Sequence, residues 1–195
     1  MGQSSLTLDQ LDKLVKEYVK DKEFKDKLNL NNSIKVSFLA QGEYNINYII
    51  EDSNQKYVMR INTGSQMNLS KQIEYEYKAL KYLEKSGVTP KVFYLDDSRK
   101  ELPLGMLIME YLPGRSMLYK KDLKKAAEVL ARVHQVEIKN DFDLIKENRP
   151  LTGIYKECSN LLPVYLNSDL GDPEVKDVLE KMLLILKDLR KKKTI

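Results

Sequence analysis

The chain has one cysteine, Cys158, and one histidine, His134. A single thiol cannot close an internal disulfide, so a reduced compartment is expected. The histidine falls in the helical stretch LARVHQV and reads as a packing residue, not a catalytic one. No apolar run approaches the roughly 18 residues that a membrane span needs. The start, MGQSSLTLDQ, has neither a basic nor an apolar targeting region, and Leu6 stands where a myristoylation signal prefers Ser or Thr. These absences predict a cytoplasmic protein with no membrane role. Neither sign of charge dominates: 33 Lys and Arg against 29 Asp and Glu give +4. Basic residues are spread along segments that also carry acids, Arg190 to Lys193 excepted, which argues against a nucleic-acid partner. What is present is globular: 195 residues, 42% hydrophobic and 32% charged, enough for one core or two small lobes.

The order of patterns predicts an α+β fold. Thr7 and Gln10 have capping-box spacing ahead of an apolar stripe, Leu8, Leu11, Leu14, Val15, Tyr18 and Val19. IKVSFLA, INYIIE and KYVMRIN then read as three antiparallel strands, the last two joined by the turn DSNQ. A helix follows over KQIEYEYKALKYLEKS, with Ser70 as its expected cap, Ile73, Tyr77, Leu80 and Leu83 on one face, and Gly87 closing it. KVFYLDD and PLGMLIMEY supply two more strands. The Pro-Gly break LPGRS, residues 112–116, is the expected linker between a first lobe, 1–111, and a helical part, 117–195. In that part Asp122 is expected to cap a helix that packs Leu123, Ala126, Ala127, Leu130 and Val133 inward. Two further helices are expected around Ile154 to Tyr165 and Pro173 to Leu189.

The stretch QGEYNINYIIEDSNQKYVMRIN, residues 41–62, carries the chemistry. Gly42 at the mouth of a hairpin lets backbone approach a phosphate oxygen with no Cβ in the way, and Asn45 can brace the turn or donate to an oxygen. Arg60, inside an otherwise apolar strand, would reach the same phosphates if a helical glutamate held its guanidinium by a bidentate pair. Glu76 is the natural partner, because it shares the face of Ile73 and Leu80. Glu74 is the alternative and is expected to point outward.

Taken in order, GEYNINY, YVMRIN, EYKALKYL, GVTPKV, LIMEYLPG and LARVH resemble the aminoglycoside phosphotransferase and choline kinase family, small-molecule kinases with a protein-kinase-like fold. The resemblance runs from Ile34 to about Val136. It implies a five-stranded antiparallel sheet with a helix, then a hinge and an incomplete helical C-lobe. It also implies that Gly42 and Asn45 lie in a nucleotide-positioning loop. Arg60 would contact the α- and β-phosphates with Glu76 orienting it, and Met109, Glu110, Tyr111 and Leu112 would form the hinge that reads the base. Most members carry lysine where Arg60 stands, whereas choline and ethanolamine kinases carry arginine.

In the family a segment H-x-D-x-x-x-x-N and a later aspartate supply the base and the metal ligands. The segment is not found here. Asp143 and Asn148 have suitable separation and Asp169-Leu170-Gly171 looks like a metal-binding D-x-G, but the short apolar strands that should flank them are missing. The expectation is therefore the nucleotide-binding portion of a phosphotransferase to a hydroxyl acceptor, truncated before its catalytic loop. It would bind ATP or GTP, with Mg2+ and a small hydroxyl-bearing acceptor in the complete enzyme. A non-catalytic kinase-like module working through its helical half is the alternative. Leu179, Met182, Leu183 and Leu186 on the last helix are expected to lack cover and to drive self-association.

Overall fold

Polar and apolar side chains alternate through Asn45-Ile46-Asn47-Tyr48, and the backbone takes this up as a strand whose two faces meet different partners. The computed structural model describes residues 6–65, 69–139, 144–145 and 149–192. Two compact units result, Met1–Phe142 and Asp143–Ile195.

The first unit is built on a five-stranded antiparallel sheet of β1 (Lys35–Gln41), β2 (Asn45–Glu51), β3 (Lys56–Asn62), β4 (Val92–Asp96) and β5 (Met106–Glu110), in the order β1-β2-β3-β5-β4. This is the expected α+β arrangement. Register sorts the side chains. Ile46, Tyr48 and Ile50 of β2 share one face with Tyr57, Met59 and Ile61 of β3 and with Met106 and Ile108 of β5. That face is covered by α1 (Leu8–Tyr18) and α2 (Lys22–Leu28), which bury Leu11, Val15, Phe24 and Leu28 against it. The capping box of Thr7 and Gln10 forms as expected. The second helix has no counterpart in the sequence reading: seven residues with only Phe24 and Leu28 buried are too short to display a period, and Asp21 caps it by accepting from the Phe24 N–H at 2.9 Å.

Two polar pins fasten this cover. The Tyr18 hydroxyl donates to Asp96 at 2.7 Å, across 78 residues. Burial pushes the Tyr18 hydroxyl far above its ordinary pKa; at Asp96 burial pushes upward too, but bonds from Tyr18 and Ser98 outweigh it and hold the carboxyl low. Asp52, buried in the β2–β3 turn, accepts from the backbone N–H groups of Asn31, Asn54 and Gln55, which hold its carboxyl below the usual range.

The opposite face carries Val58 and Arg60 of β3 with Leu107 and Met109 of β5, and α3 (Gln72–Leu83) packs on it through Ile73, Tyr77 and Leu80. Ser70 does not cap α3. The cap position is Lys71, with no side-chain bond; just ahead of the helix the Ser65 hydroxyl accepts from the Leu69 N–H at 2.7 Å and donates to Gln72 Oε1 at 2.9 Å. After a short 3-10 turn (Glu84–Ser86), Gly87 at φ 65° closes the segment as expected; the left-handed conformation favours glycine.

Residues 111–118 form neither helix nor strand, and α4 (Tyr119–His134) follows. Asp122 sits inside its first turn instead of capping it, because its carboxylate accepts from the Leu118 N–H at 2.8 Å and from both terminal nitrogens of Arg115. The expected inward packing of α4 does not occur: Leu123 is 60% and Leu130 55% exposed, and His134 is exposed as well. Amphipathic period predicts a helix and the direction of its stripe, but not that something covers it.

In the second unit α5 (Pro150–Leu166) and α6 (Pro173–Lys192) pack on each other. A groove of about 360 Å³ between them is lined by Cys158, Leu161, Leu162, Tyr165, Met182 and Leu183, among others. Leu179, Leu183 and Leu186 are half-buried there, while Val178, Met182, Ile185 and Leu189 stay exposed.

Candidate functional site

The α3 face of the sheet has two chemically distinct ends. Toward the β1–β2 turn lie Asn45, Asn47 and Arg60; farther along the same face Val58 and Met109 sit opposite each other with Leu107 beside them. A polar end and an apolar end on one platform suit a ligand that is itself charged at one end and flat and apolar at the other.

Arg60 is the centre of the polar end. It is flanked by Asn47 on β2 and Leu107 on β5, in the middle of the sheet. One terminal nitrogen pairs with Glu76 Oε1, and Nε donates to Asn47 Oδ1 at 3.0 Å. Both partners of the ion pair are largely sheltered, with 28% of the Arg60 and 19% of the Glu76 side chain exposed. The choice between the two glutamates is thus resolved. Glu76 lies one turn from the buried Ile73 and faces the sheet, whereas Glu74 faces Lys71 at 3.2 Å near the helix start.

The turn that precedes β2 is closed by the Gly42 N–H, which donates to the Asn45 carbonyl at 2.8 Å. A Cβ at Gly42 would meet only that same carbonyl, at 3.9 Å, so the glycine leaves open space at the mouth. Asn45 braces the turn, its Oδ1 accepting from Asn62 Nδ2 at 3.3 Å. The Asn62 amide also reaches the carbonyls of Tyr44 and Gly64, at 3.1 and 2.6 Å.

At the apolar end Met109 is buried. Glu110 staples the end of β5 to Lys91: its N–H donates to the Lys91 carbonyl at 2.8 Å and its carboxylate accepts from the Lys91 N–H at 3.1 Å. Tyr111 packs against the same cluster with the Lys56 ammonium 5.0 Å from its ring centre, and Leu112 is 52% exposed at the start of the irregular segment. Four of the expected residues, Gly42, Asn45, Arg60 and Glu76, therefore gather at one end, and Met109 to Leu112 at the other.

The profile of the Phosphotransferase enzyme family matches residues 35–193, most of the sequence. The chain belongs to that family. The match extends well past the segment whose motifs are legible by eye. No curated protein matches this family member in sequence. Among solved structures it is similar to a Ralstonia eutropha protein assigned as an aminoglycoside phosphotransferase, with 15% identity and TM-score 0.60 over 86% of this chain and 51% of that one. It is similar also to Plasmodium vivax ethanolamine kinase, with 14% identity and TM-score 0.57 over 98% and 59%. A third is a thermostable mutant of an aminoglycoside phosphotransferase in ternary complex with AMP-PNP and hygromycin B, with 14% identity and TM-score 0.56 over 84% and 59%. At these identities the likeness establishes the protein-kinase-like fold. The chain spans about half to three fifths of the length of these structures.

Sequence reasoning missed Asn47 and Asn62. The signal was available: polar Asn45 and Asn47 two apart on a strand must share the face of Arg60 once β2 and β3 pair in register. Asp143 and Asn148 lie outside the described residues. Asp169 is in the turn between α5 and α6, next to Leu170, which is 95% exposed. Among the described residues, no group of three or more His, Cys, Asp and Glu side chains could hold a metal ion, and no helix is long and apolar enough to cross a membrane.

Proposed function

We propose that this chain is the nucleotide-holding part of a small-molecule kinase, one that transfers the γ-phosphoryl group of ATP or GTP to a small hydroxyl-bearing acceptor of the aminoglycoside or choline type. The observation that carries this is the half-buried Arg60–Glu76 pair on the α3 face of the sheet, beside the Gly42 turn. Arg60 holds the α- and β-phosphates, Glu76 fixes its guanidinium, and the space above Gly42 admits them. Val58 and Met109 form the floor for the base, and the backbone from Glu110 to Leu112 reads its edge. Residues 1–111 form the nucleotide lobe, 112–116 the linker and 117–195 the helical part. Arginine at position 60 favours a choline or ethanolamine kinase-like relative over an aminoglycoside-modifying one.

The described residues supply neither an H-x-D-x-x-x-x-N loop nor a carboxylate cluster for Mg2+, so no transfer step is assigned to them. MgATP or MgGTP is expected to raise the melting temperature of the chain, at dissociation constants of about 0.1 to 1 mM, because the described residues add no cluster of metal ligands to the phosphate contacts. Phosphorylated choline, ethanolamine or aminoglycoside should not accumulate. A flat melting temperature at 10 mM nucleotide rejects the reading; stoichiometric product would instead promote Asp143 as the catalytic aspartate.

The second reading is a module that binds through its helical half, favoured by the apolar face of α6. Val178, Met182, Ile185 and Leu189 are each about half exposed, so covering them fully would stabilise by about 1 kcal/mol each. A second copy of the chain is the proposed cover. Sedimentation velocity should find a concentration-dependent dimer that Ile185→Lys returns to monomer. A monomer at 100 μM in the unaltered chain refutes it.

A further inference from the structure

Asn47 occupies a position for which neither face burial nor turn chemistry supplies a reason. It lies mid-strand on β2, half-buried, directly opposite Arg60 on β3 and Ala40 on β1. Its amide is used at both ends. Arg60 has only donors, so the atom that meets its Nε at 3.0 Å is the Asn47 carbonyl oxygen. That orientation fixes the other end: Asn47 Nδ2 is directed at the Ala40 carbonyl, 3.4 Å away, on the strand that leads into the Gly42 turn. One amide thereby ties the turn-bearing edge strand to the guanidinium, and the guanidinium is tied in turn to Glu76 on α3.

The chemistry of this bridge is selective. A guanidinium is planar, and two bonds in that plane, Nε to Asn47 and a terminal nitrogen to Glu76, fix its rotation as well as its position. The remaining N–H donors then point in set directions. A lysine ammonium has no counterpart to Nε: it can pair with Glu76 or turn to Asn47, but it has no plane to be fixed. We propose that Asn47 is the positioning residue that makes position 60 specific for arginine, setting the guanidinium plane for the phosphates and coupling it to the edge strand. This deepens the proposed function and rests on the nucleotide reading.

The test is a double-mutant cycle read by calorimetry with MgATP and with adenosine on the full chain. Asn47→Ala is expected to weaken MgATP about tenfold and adenosine less than twofold. Arg60→Lys, which keeps the charge and leaves Asn47 in place, should weaken MgATP by a similar factor. In the Arg60→Lys background Asn47→Ala should add less than twofold, since the bond is already gone. Asn47→Val, a good strand former with no acceptor for the Arg60 Nε–H, carries the same expectation where alanine loosens the strand. Losses that multiply, or an unchanged MgATP affinity in Asn47→Ala while Arg60→Ala loses affinity, overturn this inference alone. Unchanged MgATP affinity in Arg60→Ala brings down the nucleotide reading and this inference with it.

Discussion

Replacing Arg60 by alanine is expected to weaken MgATP binding about thirtyfold, with adenosine affinity changed less than twofold. A hydrogen bond between charged partners contributes about 1.5–3 kcal/mol, and 1.4 kcal/mol is tenfold in affinity. Two effects act in the same direction. The phosphates lose their donor, and Glu76, with 19% of its side chain exposed, is left as an unneutralised carboxylate beside them. Adenosine provides the control, because Val58 and Met109 lie farther along the same face and do not change. Calorimetry at moderate salt separates the two ligands. A surface arginine would alter neither affinity, so equal MgATP affinities for the unaltered and Arg60→Ala chains reject the assignment. Glu76→Gln should fall between them, because the neutral amide still accepts from Arg60 but through a weaker bond that orients the guanidinium less firmly.

Gly105→Ala is expected to destabilise the first unit by about 2 kcal/mol in urea, within the usual range for overpacking. The added methyl would run into Asp97 Oδ1 and would lie 2.5 Å from Ile73 Cγ2. Neither neighbour yields cheaply. Ile73 is 1% exposed between α3 and the sheet, and Asp97 is held by Arg99 at 3.0 Å. Relief requires α3 to lift at its first turn, and Glu76 rides on the next residues of that helix. Lost stability should therefore come with MgATP affinity reduced about threefold. Ile73→Ala alone should cost about 3 kcal/mol. The double variant Gly105→Ala with Ile73→Ala should be more stable than the sum of the singles by about 1 kcal/mol, because one of the two close contacts is removed. Strict additivity would show that the approach to Ile73 is not what requires glycine.

Most of the sheet was legible in the sequence because period-two alternation and turn residues bound β2 and β3 closely. Arg60 stood out for the same reason, as a charge within an apolar pattern. Its partner was legible too, since helical spacing puts Glu76 beside Ile73 and Leu80. Three things were not. The seven-residue α2 has too few turns to show a period. Ser70 and Asp122 are good capping residues in the wrong places: the cap of α3 falls one residue later, at Lys71, and the Asp122 carboxylate is occupied by Arg115 and by the Leu118 N–H one turn back. Asn47 is ambiguous until register is known, since a polar residue on a strand reads as a solvent-facing one. The exposed stripe of α4 marks a more general limit: periodicity encodes which side of a helix is apolar, while its burial depends on what lies opposite.

The strand order β1-β2-β3-β5-β4 puts the cation and the mouth of the site on backbone with different opening free energies. Arg60 is carried by β3, bonded on both sides and with helices packed on both faces, so its amides are expected among the slowest to exchange with solvent. Gly42 terminates β1, an edge strand bonded on one side only, with an irregularity between Phe38 and Ala40 and with Phe38 and Leu39 nearly half exposed. That segment can peel away at a small fraction of the global cost. If Arg60 holds the phosphates as proposed, the ligand would sit between a central strand and an edge strand, and it should be able to come and go by local opening of β1 without unfolding the sheet.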